Sequence, residues 1–140
     1  MSTRQSKILL LLFLCASLLI AQGSELAYQL AVIDNGYVPR NDSSVIVFER
    51  LLKKLDSFFT ENKQEIADKT VKAQEILKKN GIKVKLKDMM TGLQGVYPYK
   101  VENQKYQDIL VYYLTFRIED FQSHSEAISS LKAIIRAIIR

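Results

Sequence analysis

The chain has 140 residues, 48% hydrophobic and 25% charged, with 20 Lys and Arg against 15 Asp and Glu for a formal net charge of +5. That is room for one domain, and the positive excess is too small to indicate nucleic acid as a partner. A single cysteine and a single histidine leave no intrachain disulfide, no thiolate-rich zinc site and no second imidazole for a metal.

The N-terminal residues carry Arg4 and Lys7 and no acid, then the unbroken apolar run Ile8–Ile20, then Ala21 and Gly23. A positive start, a short apolar middle and small residues at the end are the layout of a secretory signal. The run is shorter than the roughly 20 apolar residues that a membrane-spanning helix needs. Residues 1–23 are therefore expected to be a signal peptide cleaved near Gly23, and residues 24–140 a single domain in the periplasm or outside the cell. Cys15 lies inside the run behind Leu12, Phe13 and Leu14, which are too large for a lipoprotein site. The exported domain then has no cysteine and no disulfide. Cleavage removes two cations and no acid, so its charge falls to about +3.

Leu26, Ala27, Leu30, Ala31 and Ile33 recur at helical spacing before an Asn35-Gly36 stop. Pro39 bars continuation, and Asn41, Asp42 or Ser43 can cap the next helix. In SVIVFERLLKKLDSFF, Phe48, Leu51, Leu52, Leu55, Phe58 and Phe59 share one face, opposite Glu49, Arg50, Lys53 and Asp56. Thr60 is the expected cap of a third, more solvated helix with Ile66, Ala73, Ile76 and Leu77 on its apolar side, ending at Asn80-Gly81 in a left-handed turn. The next stretch reads two ways. Ile82, Val84 and Leu86 alternate with Lys83, Lys85 and Lys87, a strand's period, whereas Leu86, Met89, Met90 and Leu93 follow a helix's. The longer match predicts a short helix from about Lys85 to Gln94.

After a loop around Pro98, Asn103 is the expected cap for KYQDILVYYLTFRI. Its ILVYYLTF core is apolar nearly all round, a pattern shared by buried helices and central strands. The surrounding helices favour a helix. In the last helix, Ala127, Ile128, Leu131, Ile134, Ile135, Ile138 and Ile139 cover an arc of roughly 120–140°, opposite Ser129, Lys132, Arg136 and Arg140. Ser123 or Ser125 caps it, with Glu126 in its first turn. The fold expected is an all-α bundle of five or six short helices. An α+β arrangement with strands near 82–87 and 108–117 is the alternative. A tetratricopeptide pair lacks its Trp, Gly, Ala and Pro positions.

His124 stands near Arg117, Glu119, Asp120 and Glu126, a grouping that could bind a divalent cation or move a proton. One histidine falls short of zinc's usual donor set, and a neighbour of a helix cap is the simpler reading. No G-x-S-x-G elbow, P-loop or G-x-G-x-x-G run is present. No catalytic, cofactor-binding or metal-ligating residue is therefore assigned, and no cofactor. Lys78, Lys79, Lys83, Lys85 and Lys87 form the densest basic patch, a candidate strip for an anionic partner. Tyr97, Tyr99 and Tyr106 with Lys100 and Lys105 could stack on a sugar or peptide. Lys132, Arg136 and Arg140 are a candidate membrane or partner stripe. The expected function is an exported non-enzymatic protein that binds a protein or envelope component. Its alternative is a peripheral protein on an anionic membrane surface.

Overall fold

Phe48, Leu52 and Leu55 of the second helix, Ile66 and Leu77 of the third and Met89, Met90 and Leu93 of the fourth are each at most 1% exposed, so three amphipathic faces meet in one core. The computed structural model describes residues 25–139. Among these residues there are six helices and no strand: α1 (residues 25–35), α2 (Ser43–Phe58), α3 (Lys63–Lys79), α4 (Leu86–Gln94), α5 (Tyr106–Ile118) and α6 (His124–Ile138). The α2 helix packs on α3 and α4, α3 on α4 and α5, and α6 on α5 and α4. Ala27, Leu30 and Ala31 of α1 are buried in the same core. The expected signal segment, Cys15 within it, and Arg140 of the basic stripe lie outside the described residues.

Local chemistry explains most of the ends. Asp42 caps α2 by accepting the Ser44 N–H at 2.9 Å. Gly81, at φ 74°, supplies the left-handed residue after α3. Ser123 and Glu126 form a reciprocal capping box at the start of α6.

Two caps differ from the sequence expectation. The α3 helix is capped by Asn62 in a box with Glu65, not by Thr60, which lies two residues before the cap and turns its hydroxyl onto Glu61 Oε1 at 3.2 Å. Asn103 adopts a left-handed turn at φ 58°, and α5 starts after Lys105, which makes no side-chain cap. Its first turn is closed instead by Glu61, from the α2–α3 connection. Glu61 accepts the Tyr106 and Gln107 N–H groups, each at 2.8 Å. The α4 helix follows the same scheme. Lys85 makes no side-chain cap, and Asp34 at the end of α1 takes the Leu86 N–H at 2.6 Å and the Lys87 N–H at 3.2 Å.

The two segments of ambiguous period resolve differently. Residues 82–85 belong to neither helix nor strand. Ile82 and Val84 turn inward and Lys83 and Lys85 outward, and the Gln74 amide donates to the Val84 carbonyl at 2.9 Å. The alternation was real, but it marks a tether between α3 and α4 and no strand. Residues 108–117 lie within α5. Tyr106 and Tyr113 are its fully buried aromatics, and Tyr106 Oη meets Thr70 Oγ1 of α3 at 2.8 Å. A helix lodged between α3 and α6 must be apolar on two sides, which erases the usual amphipathic signal.

Candidate functional site

His124 is the first residue of α6, and its ring points inward. Its Nδ1 lies 2.7 Å from the Tyr113 hydroxyl of α5, and the two rings meet edge to face at 5.7 Å. The third element of this junction is α4. A Cβ built on Gly92 would fall 2.7 Å from Ile128 Cδ1 and 3.2 Å from His124 Cε1, so α6 approaches α4 as closely as glycine permits.

Burial and the Arg117 cation hold the His124 pKa below its ordinary value, against the Asp88 carboxylate and carbonyl. Burial pushes the Tyr113 phenol up to about 12, with Arg117 opposing and Asp88 assisting. At neutral pH both groups are uncharged, and Tyr113 and His124 share one proton-bearing contact. Arg117 itself is 9% exposed. Among the described residues it has no carboxylate partner, and its Nε is buried without an acceptor.

The structure thus regroups the residues that sequence had gathered around His124. Glu119 and Asp120 are exposed in the α5–α6 turn, and Glu126 is committed to the Ser123 N–H at 2.7 Å. Facing the ring instead is a cleft of about 410 Å³ lined by Asp34, Gln74, Lys83, Val84, Lys85 and Asp88. Two lysines of the basic patch, Lys83 and Lys85, reach this cleft, while Lys78, Lys79 and Lys87 are exposed outside its lining. Most of its polar groups are already engaged. Asp34 caps α4, and the Lys85 ammonium donates to Asn35 Oδ1 at 3.0 Å. What stays free for a ligand is chiefly Lys83 and Asp88. Among the described residues no group of three His, Cys, Asp or Glu is placed to hold a metal ion.

The C-terminal stripe divides along its length. Ala127, Ile128, Leu131 and Ile135 are buried, whereas Ile138 is 72% exposed. Lys132 is half-buried and Arg136 exposed on the other side. Beside Ile138 a cleft is lined by Tyr97, Tyr99, Val101, Gln104, Ile135 and Ile139. Tyr97 is anchored to Gln104 at 2.7 Å, and Tyr106 is wholly inside the core. The three tyrosines therefore form no common stacking surface. Among the described residues no helix is long and apolar enough to cross a membrane.

One surface was not singled out in the sequence. On α5, Asp108, Val111, Tyr112 and Thr115 follow i, i+3, i+4 and i+7, a single helical face that Glu119, the residue just past its end, continues at i+11. Val111 is 55% and Tyr112 50% exposed. Thr115 turns its hydroxyl onto the Val111 carbonyl at 2.9 Å, spending its donor within the helix. Just beyond α5, Phe121 has φ 54° and is 87% exposed. A bulky residue in the left-handed region is a strained choice where glycine is cheapest, and solvent exposure returns nothing for it. The available sequence signal was an aromatic residue at a helix end that lacks the usual glycine.

No curated protein and no solved structure matches the chain. Residues 29–134 match the MoxZ family, a span running from within α1 to near the end of α6 and taking in both remote caps, the His124 junction and the outer face of α5. The chain belongs to the MoxZ family.

Proposed function

We propose that this protein is exported and acts, without catalysis, by docking a partner protein on the outer face of α5 and on Phe121. The observation that carries the proposal is Phe121, a strained aromatic left in solvent. Backbone strain clusters at functional positions, and aromatic anchors dominate protein interfaces. Val111 and Tyr112 extend the apolar surface along α5. The reading without catalysis rests on the sequence, which holds a single histidine and no nucleophile elbow or phosphate-binding glycine loop. Export rests on the charge and apolar pattern of residues 1–23.

Site-specific photo-cross-linking in the native cell tests this reading. A photoreactive residue at position 112 or 121 should give a discrete adduct that the same residue at Asp68, on the exposed side of α3, does not. Equal labelling at all three positions would refute it.

A peripheral membrane role through α6 draws support from Ile138 and Arg136, which are both exposed. It is the weaker reading, since Leu131 and Ile135 are spent in the core. Flotation with anionic liposomes distinguishes the two: a membrane role requires lipid-dependent recovery that Ile138→Lys abolishes.

A further inference from the structure

Charge is unevenly divided over this protein. Residues 106–131 carry four carboxylates, Asp108, Glu119, Asp120 and Glu126, all exposed. The one Lys or Arg in that stretch is the buried Arg117. The rest of the described chain has sixteen cations against eleven acids. The exposed charged side chains of α5, the α5–α6 turn and the start of α6 are therefore all acidic, on a protein that is basic elsewhere. Lys105, one turn before Asp108, is the cation at the edge of this surface. The apolar part of this surface is Val111, Tyr112 and Phe121.

We infer that the partner docked here presents a basic amphipathic helix, whose apolar side covers Val111 and Tyr112 and whose lysines or arginines meet Asp108, Glu119 and Asp120. The inference rests on the docking function proposed above and names the chemistry of its partner. Charge complementarity sets the sign, because an acidic or neutral partner would leave these carboxylates without counter-charges. Geometry sets the form. From Asp108 to Glu119 the stripe runs about 16 Å, roughly three helical turns. Inside α5 the backbone N–H and C=O groups are already paired with one another, so an added strand has no edge to join, whereas side-chain ridges can accept a second helix. Phe121, beyond the end of the stripe, supplies an anchor at one end.

The test uses the chain as produced after export and a fluorescently labelled 15-residue amphipathic helix of leucine and lysine, with a leucine–glutamate helix of the same pattern as its control. Anisotropy should show saturable binding of the lysine peptide, weakened as salt rises, and none of the glutamate peptide. Phe121→Gly should weaken binding, and Glu119→Lys with Asp120→Lys should weaken it about tenfold or more. Asp68→Lys, which adds charge on α3, should leave it within about twofold.

Loss with Phe121→Gly but none with the charge reversal would overturn the basic partner and leave the docking face standing. If neither change matters, or the two peptides bind equally, both readings fail. Concentration-dependent dimerisation in sedimentation, removed by Tyr112→Asp, would assign the face to a second copy of this chain and also overturn the inference.

Discussion

Glu61 closes the first turn of a helix that begins 45 residues later, its Oε1 accepting the Tyr106 N–H at 2.8 Å. The same carboxylate takes the Gln107 N–H, and the Lys69 ammonium lies 3.3 Å away. With Glu61 only 7% exposed, Glu61→Ala leaves two amides at the start of α5 without their acceptor and Lys69 without its partner. A lost cap costs about 0.5–2 kcal/mol and an orphaned buried donor about 1–3 kcal/mol. The expected loss is therefore about 2–3 kcal/mol, read as a lower urea midpoint with unchanged slope. Glu61→Gln keeps an acceptor and should cost less.

Acid should act through the same residue. Burial opposes the charge of Glu61, but the N–H groups of Gln107 and Tyr106 and the Lys69 ammonium outweigh it and hold the carboxyl below its ordinary value. A carboxyl depressed in the folded state stabilises the protein fully above its unfolded value of about 4.3. The contribution is lost as pH falls through the lower folded value. Wild type should therefore lose stability on acidification faster than Glu61→Gln. Thermal melts across that window check this, and parallel curves would remove Glu61 from the explanation.

His124 adds a second titration nearer neutrality. Its folded pKa is lowered by burial first and by Arg117 second. The neutral ring is the stable form, and its contribution is complete above about 6.5 and declines as pH drops through the folded value. In His124→Gln this part of the pH dependence should vanish. Tyr113→Phe, which removes the 2.7 Å contact to Nδ1, should cost about 1 kcal/mol. Chemical denaturation between pH 5 and 8 measures both.

Close approach at the same junction makes Gly92→Ala informative. In an exposed helix interior this change gains about 1 kcal/mol. Here the new methyl meets Ile128 Cδ1 at 2.7 Å and Cγ1 at 2.8 Å, an overpacking worth about 1–3 kcal/mol. The net expectation is a loss of about 1 kcal/mol, absent when the change is made in an Ile128→Ala background, which lacks both contacting atoms. A double-mutant cycle with no coupling would place the two residues out of contact.

What the sequence revealed follows the range of each interaction. The Asp42 cap, the Ser123–Glu126 box and the turn at Gly81 join residues within a few positions; the turn was legible, and Asp42 and Ser123 were each among the candidate caps, though the reciprocal box was not read. Both remote caps were not, because Asp34 and Glu61 act across about 50 and 45 residues and leave only a lysine at each nominal cap. The basic patch and His124 were each visible alone. The meeting of Lys83 and Lys85 with His124 in one cleft required α1, α3, the 82–85 tether, α4 and α6 to assemble. The isoleucine face was legible as a periodicity, yet periodicity does not say where a helix leaves the core. Ile135, at 5% exposure, lies inside it and Ile138, at 72%, outside.

Phe121 separates stability from binding. At φ 54° an L-residue other than glycine bears about 1–2 kcal/mol of steric cost, and at 87% exposure this side chain has little packing to lose. Phe121→Gly relieves the strain but gives the unfolded chain more freedom, an opposing effect of up to about 1 kcal/mol. The variant should thus melt at or slightly above the wild-type temperature while losing the cross-link to its partner. For comparison, Ile135→Lys buries a charge in the core and should abolish cooperative unfolding. A clear drop in melting temperature for Phe121→Gly would mean that the aromatic ring is held by the fold and is no contact residue.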